Sequence, residues 1–101
     1  MEPLRVRSLG PADAYIRELP ETVQVRIAAD TTLLAEGENA EVRTKQLRGP
    51  IRELIIGYHR LTYFRLEHTL YLVRGFRKKT QKTPRNEIEY AEQIYKQLSQ
   101  Q

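Results

Sequence analysis

Three apolar segments follow one another with almost nothing between them: IRELIIG at 51–57, LTYFRL at 61–66 and LYLVRGF at 70–76. Each is rich in the β-branched and aromatic side chains that suit a pleated, half-buried surface. A parallel pairing needs a long crossover, and these links are far too short for one, so the three strands are predicted to form an antiparallel meander. Glu67, His68 and Thr69 read as the hairpin turn between the last two, and Gly49-Pro50 turns the chain into the first. EVRTKQL, 41–47, is either a further strand or an irregular approach to them.

Helical signals flank this block. LRVRSL at 4–9 reads as a short first strand, after which Gly10-Pro11 punctuates the chain and Pro11 suits a first helical position. Ala12, Tyr15, Ile16 and Leu19 then fall on one helical face, and Pro20 ends that helix. In 21–36, Val23, Val25 and Ile27 alternate as in a strand, while Val23, Ile27, Thr31 and Leu34 keep helical spacing. The helix formers of AADTTLLAE and the stop at Gly37 favour a second helix. At the other end Thr83 reads as an N-cap and Pro84 as the first helical residue. Glu87 and Glu89 sit near the positive end of the dipole, and Ile88, Ala91, Tyr95 and Leu98 make an apolar face. The expected fold is α+β: two N-terminal helices packed on a small antiparallel sheet, with a C-terminal helix. Its 101 residues, with no linker or repeat, imply a single domain over 1–101.

The absence of cysteine excludes disulfides and thiolate zinc sites and suits a reducing cytoplasm. No apolar run approaches the roughly 20 residues of a membrane span. MEPLRVRSLG has no signal-peptide pattern, so a cytoplasmic location with no membrane partner is expected.

Charge is segregated along the chain. From Arg43 to Arg85 there are twelve Lys/Arg against two acids, Glu53 and Glu67; the rest of the chain has five against eleven, for the net +4. Four cations, Arg77, Lys78, Lys79 and Lys82, crowd into RGFRKKTQKTP, a stretch held between the last strand and the last helix. Gly75 permits a close backbone approach there, and Phe76 is expected to anchor the stretch in the core. The basic half is a candidate footprint for a polyanion. The competing reading is a solvated face whose charges pair with acids brought near by folding. Arg60, Arg65 and Arg74 are expected to converge on one sheet face or its edge. Strand alternation sets Arg60 and Tyr63 on opposite faces unless a bulge intervenes.

Few reactions suit this residue set. His59 and His68 have no ligand-spaced partners for a metal. GFRKKTQK lacks the spacing of a phosphate-cradling loop, and no serine sits in a nucleophile elbow. No cofactor is expected. Cleavage of an RNA backbone without metal remains available. It requires a group to take the 2′-hydroxyl proton, cations for the pentavalent phosphorane and a donor for the leaving 5′-oxygen. Arginine binds phosphate oxygens bidentately and stays charged. His59, His68, Tyr63 and Tyr71 are further proton-transfer candidates; each also has an ordinary structural reading, as a turn or half-buried sheet residue.

The run from Leu47 to Leu98 resembles the phage-derived HigB-like branch of the RelE/ParE toxin superfamily. The resemblance rests on RELII (52–56), HRLTYF (59–64), LYLVRGFRKKTQKTP (70–84) and EIEYAEQIYKQL (87–98). It implies a RelE-like fold and a toxin of a type II toxin–antitoxin pair, acting as a ribosome-dependent, metal-independent mRNA endoribonuclease that inhibits translation. It also implies a cognate helix-turn-helix antitoxin, with ribosome and mRNA as the other partners. Arg60 and Tyr63 match the Tyr-Arg-x-x-Tyr strand motif, and Lys78, Lys79, Thr80 and Lys82 match the basic loop. Arg60, Tyr63, Lys78, Lys79 and Lys82 are therefore the catalytic candidates, and Arg65, Arg74, Arg77, Thr80 and Arg85 the RNA-binding ones. Ile55 stands where the family commonly has an arginine, and Arg74 where it often has a histidine. Two other functions fit the superfamily: a ParE-like poison of DNA gyrase without nuclease activity, and a degenerate protein that retains only antitoxin binding.

Overall fold

A computed structural model describes residues 2–101. In chain order the elements are β1 (Arg5–Ser8), α1 (Gly10–Arg17), α2 (Glu21–Ala35), β2 (Thr44–Arg48), β3 (Ile51–Ile56), β4 (His59–Leu66), β5 (Thr69–Arg77) and α3 (Arg85–Ser99). The five strands form one sheet in the order β1-β5-β4-β3-β2. The meander expected from the short links is present and gains a fourth strand, β2, from the segment whose state the sequence left open. The sheet is nevertheless mixed rather than purely antiparallel. β1 lies parallel to β5, from Arg5 opposite Thr69 to Ser8 opposite Leu72. Strand propensity says nothing about which edge a strand will join, and here the free edge of β5 supplies the partner groups: Arg5 N–H donates to His68 O, and Leu9 N–H to Leu72 O, both at 2.9 Å.

Alternation along the strands sends apolar side chains to both faces, and each face is covered by helix. Leu54, Ile56, Leu61, Tyr63, Leu70 and Leu72 pack with Ala12 of α1 and Ile27 of α2. On the reverse face Ile51, Phe64 and Val73 pack with Ala91 of α3, flanked by Ile94, Tyr95 and Leu98. Phe64 is fully buried and meets the ring of Tyr95 edge-on at 5.0 Å. The ambiguous stretch after Pro20 is a helix over its whole length, because that register buries Ile27, Thr31 and Ala35 together against the sheet. It closes at Gly37, φ 81°, where Gly37 N–H donates to Leu34 O and Glu38 N–H to Leu33 O.

Two local expectations are corrected. Phe76 is half-buried and belongs to neither apolar cluster; Phe64 is the aromatic anchor, since it lies in mid-sheet beneath α3. Thr83 does not cap α3. The helix starts at Arg85 after Pro84 with no side-chain cap, and the Thr83 hydroxyl is drawn instead to a buried carboxylate on β3.

Candidate functional site

β4 and β5 run together to one end of the sheet, where His59 pairs with Arg77 and Arg60 with Phe76. The turn before β4, at Gly57 (φ 58°) and Tyr58, and the segment that leaves β5 meet there, with Lys78 N–H donating to Tyr58 O at 2.8 Å. Between them is an open groove of about 460 Å³ lined by Tyr58, Arg60, Lys78, Lys79, Thr80 and Gln81. Three of those six side chains are cationic, so the groove carries a positive potential that attracts anions.

Arg60 is the most constrained of them. Its side chain is only 13% exposed. Nη1 donates to Gly57 O at 2.7 Å and to His59 O at 3.0 Å, which ties the guanidinium to the turn. Its Nε lies 3.9 Å from Glu53 Oε2, and Lys78 Nζ lies 4.0 Å from the same oxygen. Glu53 itself is 0% exposed, and its Oε1 accepts a hydrogen bond from Thr83 Oγ1 at 2.8 Å. Thr80 Oγ1 donates to Lys82 O at 3.0 Å, a local bond that bends the loop back on itself. Among the described residues, Lys79, Lys82, Arg77 and Arg85 make no ion pair, and all four are exposed.

On the opposite sheet face, at the same end, α1 delivers Tyr15 to His59. The hydroxyl lies 2.7 Å from Nδ1. Burial, then Arg77, then Arg60 push the His59 pKa below the ordinary imidazole value, and burial raises that of Tyr15. Both shifts agree with a phenol that donates to a neutral ring carrying its proton on Nε2. Arg77 also lies over the Tyr58 ring, 5.7 Å from its centroid.

The expected site residues do not all gather here. Arg60, Lys78, Lys79 and Thr80 line the groove, and Lys82 follows on the same loop. Tyr63 does not join them. It is 6% exposed, on the face covered by α1 and α2, with its hydroxyl accepting from Arg52 Nε at 3.3 Å. The register of β4 on β3 is unbroken, with Arg52 opposite Tyr63 and Ile55 opposite Arg60, so odd spacing separates Arg60 from Tyr63. A bulge exists, but it falls on β5, where Thr62 pairs with Arg74 and Tyr63 with Leu72, and it does not turn Tyr63 around. Arg65 lies at the other end of β4, roughly 17 Å of strand from Arg60. Its Nε donates to Glu67 O at 3.0 Å in the hairpin turn. Arg74 is a support for α3, bonded to Glu87 at 2.8 Å with its guanidinium 3.9 Å from the Tyr90 ring centroid. Arg48 pairs with Glu92 of the same helix at 2.9 Å. The acidic helix thus neutralises part of the basic half, and the loop and groove keep the rest. Arg85 is exposed at the start of α3.

Glu53, Thr83 and Tyr15 were not among the candidates; His59 was one for proton transfer, but without Tyr15 as its partner. Glu53 had a signal: it is one of only two acids among the twelve cations of 43–85, and it is the one acid in the strand segment IRELII. The Tyr15–His59 pair, separated by 44 positions, had none. Among the described residues no three His, Cys, Asp or Glu side chains are grouped as a metal ion would need, and no helix is long and apolar enough to cross a membrane.

Comparison with solved structures shows what this frame resembles. The isolated RelE toxin of E. coli superposes with a TM-score of 0.63 at 16% identity, covering 90% of this chain and 98% of RelE. RelE in the RelE–RelB complex of Pyrococcus horikoshii OT3 gives 0.67 at 13% identity, covering 76% of this chain and 97% of the other. The toxin–antitoxin complex RelB–RelE of Methanococcus jannaschii gives 0.60 at 12% identity, covering 69% and 87%. At such identities the likeness establishes the fold, which is that of RelE. A comparison with curated protein sequences finds no match. By sequence profile, residues 14–96 match the description "Phage derived protein Gp49-like", a span that includes the groove, the loop and all but the ends of the domain. The chain therefore belongs to the phage-derived Gp49-like family.

Proposed function

We propose that this protein is the toxin of a type II toxin–antitoxin pair and that it inhibits translation by cutting mRNA on the ribosome. The observation that carries the reading is the cationic groove of Arg60, Lys78 and Lys79 at one end of a RelE fold. An RNA strand laid in it presents its phosphate to Arg60, whose guanidinium is already fixed by two backbone carbonyls. Such fixed cations stabilise the phosphorane without reorganising during the reaction. Attack by the 2′-hydroxyl breaks the bond to the 5′-oxygen and leaves a 2′,3′-cyclic phosphate and a 5′-hydroxyl. Lys78, Lys79 and Lys82 are the groups placed to neutralise charge and to move protons. Arg77 and Arg85 extend the positive surface along the RNA. Two of the structurally similar proteins were solved as RelB–RelE complexes, and we assign this chain a comparable antitoxin partner and a cytoplasmic site of action.

The test is incubation of the purified protein with ribosomes translating a defined mRNA, followed by mapping of the ends. Cleavage within the ribosome-bound codons, with cyclic phosphate termini, is the expected result. Growth arrest on induction with intact mRNA, together with trapped gyrase–DNA complexes, would replace this reading with gyrase poisoning.

A further inference from the structure

We infer that Glu53 is the positioning residue of the basic loop: one buried carboxylate on β3 holds both ends of the segment Lys78–Thr83 and steadies Arg60 beside it. This rests on the reading of the groove as an RNA site, and it names the group on which that site is built.

The position itself is unusual. Glu53 lies in mid-strand between Arg52 and Leu54, opposite Thr62 of β4, and is completely shielded from water. An apolar residue would cost nothing at such a site, whereas a buried carboxylate costs much desolvation unless cations and donors surround it. Three groups do. Thr83, the last residue before Pro84 and α3, donates its hydroxyl to Oε1 at 2.8 Å. Lys78, the first residue after β5, brings Nζ to 4.0 Å from Oε2, and Arg60 brings Nε to 3.9 Å from the same oxygen. The loop between Lys78 and Thr83 is therefore tied to a single side chain at both its start and its finish.

The distances carry a second point. Oε2 and Arg60 Nε are both buried and both lack a hydrogen-bond partner. At close to 4 Å the cations are attracted to the carboxylate without giving up hydrogen-bond donors to it. Glu53 thus offsets the mutual repulsion of Arg60 and Lys78, which lets the two share one groove, and it leaves the Lys78 ammonium and the outer face of the Arg60 guanidinium for a phosphodiester while the Arg60 Nε stays buried beside the carboxylate. A carboxylate at hydrogen-bond length would occupy the donors that the substrate needs.

The experiment uses the full chain labelled with nitrogen-15. Glu53→Gln keeps the shape and an acceptor for Thr83 but removes the charge. The circular dichroism spectrum is expected to stay as in the parent. The Arg60 Nε–H should exchange faster with solvent, and the order parameters of amides 79–82 should fall. On ribosomes, kcat should drop on the order of 10²-fold, the usual consequence of a misplacement near 1 Å, while KM and single-stranded RNA affinity do not worsen, because every cation remains and a nearby negative charge is gone. A purely structural glutamate would leave kcat unchanged per folded molecule. Unaltered Arg60 exchange and loop order in Glu53→Gln would overturn the inference. If Glu53→Gln fails to fold, Thr83→Val decides: it keeps the charge and removes one tie, so loosened amides at 80–83 support the role and unchanged ones refute it. If the parent protein cuts no RNA, the functional reading falls, and the exchange and order measurements still judge Glu53.

Discussion

The phenol of Tyr15, on the first helix, lies 2.7 Å from Nδ1 of His59, at the head of β4, with the rings edge-on. This contact locks α1 to the end of the sheet where the basic groove opens. Donation from the phenol to Nδ1 requires the neutral imidazole, and the environment favours that state. Burial disfavours the charged ring, and Arg77 and Arg60 both repel it.

A folded-state pKa below the unfolded value of 6.5 means that the unfolded chain binds the proton more readily. The stabilisation from neutral His59 is therefore fully present above pH 6.5 and is lost as pH falls from there through the lower folded-state pKa. Thermal denaturation between pH 7.5 and pH 5 should show the melting temperature declining on the acid side, with a shallower decline in His59→Gln. An imidazole titration midpoint for His59 at or above the free value, measured by NMR, would contradict this.

Gly75 faces the same contact from β5. A Cβ at that position would overlap Tyr15, lying 2.6 Å from its Cγ and 3.0 Å from its Cβ, atoms at the root of a side chain carried by α1 itself. Gly75→Ala should cost about 1–3 kcal/mol, the usual range for overpacking. It should also break the Tyr15–His59 bond and raise the His59 midpoint. Urea unfolding and the same NMR titration check the two effects together.

The groove can be separated from the rest of the basic surface. Arg60→Ala removes a guanidinium held by two carbonyls, and typical losses for one such transition-state contact are on the order of 10²–10³ in rate. Arg65→Ala, at the far end of β4, should leave the rate near that of the parent. Association with ribosomes or RNA should weaken steeply as salt rises, and the slope should fall when Lys78, Lys79 and Lys82 are replaced together. Equal effects of Arg60→Ala and Arg65→Ala would show that charge alone matters.

The core offers a contrast between its two phenylalanines. Phe64 is fully enclosed between the sheet and α3, and Phe64→Ala should cost about 3–5 kcal/mol. Phe76 is half-buried, so Phe76→Ala should cost clearly less by chemical denaturation.

The sequence by itself determined the elements apart from β2, because these depend on short-range signals. Alternating apolar residues joined by short links specify a meander, and Gly10-Pro11, Pro20, Gly37 and Gly49-Pro50 each punctuate it where a turn or helix end occurs. It also determined that the cations fall on a pinned loop, and alternation alone predicted that Arg60 and Tyr63 point to opposite faces. Only the tertiary structure decided which cations remain unpaired. Glu87 and Glu92 reach Arg74 and Arg48 because α3 folds back over the sheet, an event that no local window records. It decided that β1 joins β5 in parallel, since an edge strand finds its partner by the vacancy left elsewhere. And it decided that Thr83 serves Glu53 rather than its own helix. The hydroxyl had two acceptable bonds, and a buried carboxylate 30 positions away needs a donor more than a solvent-exposed helix end does.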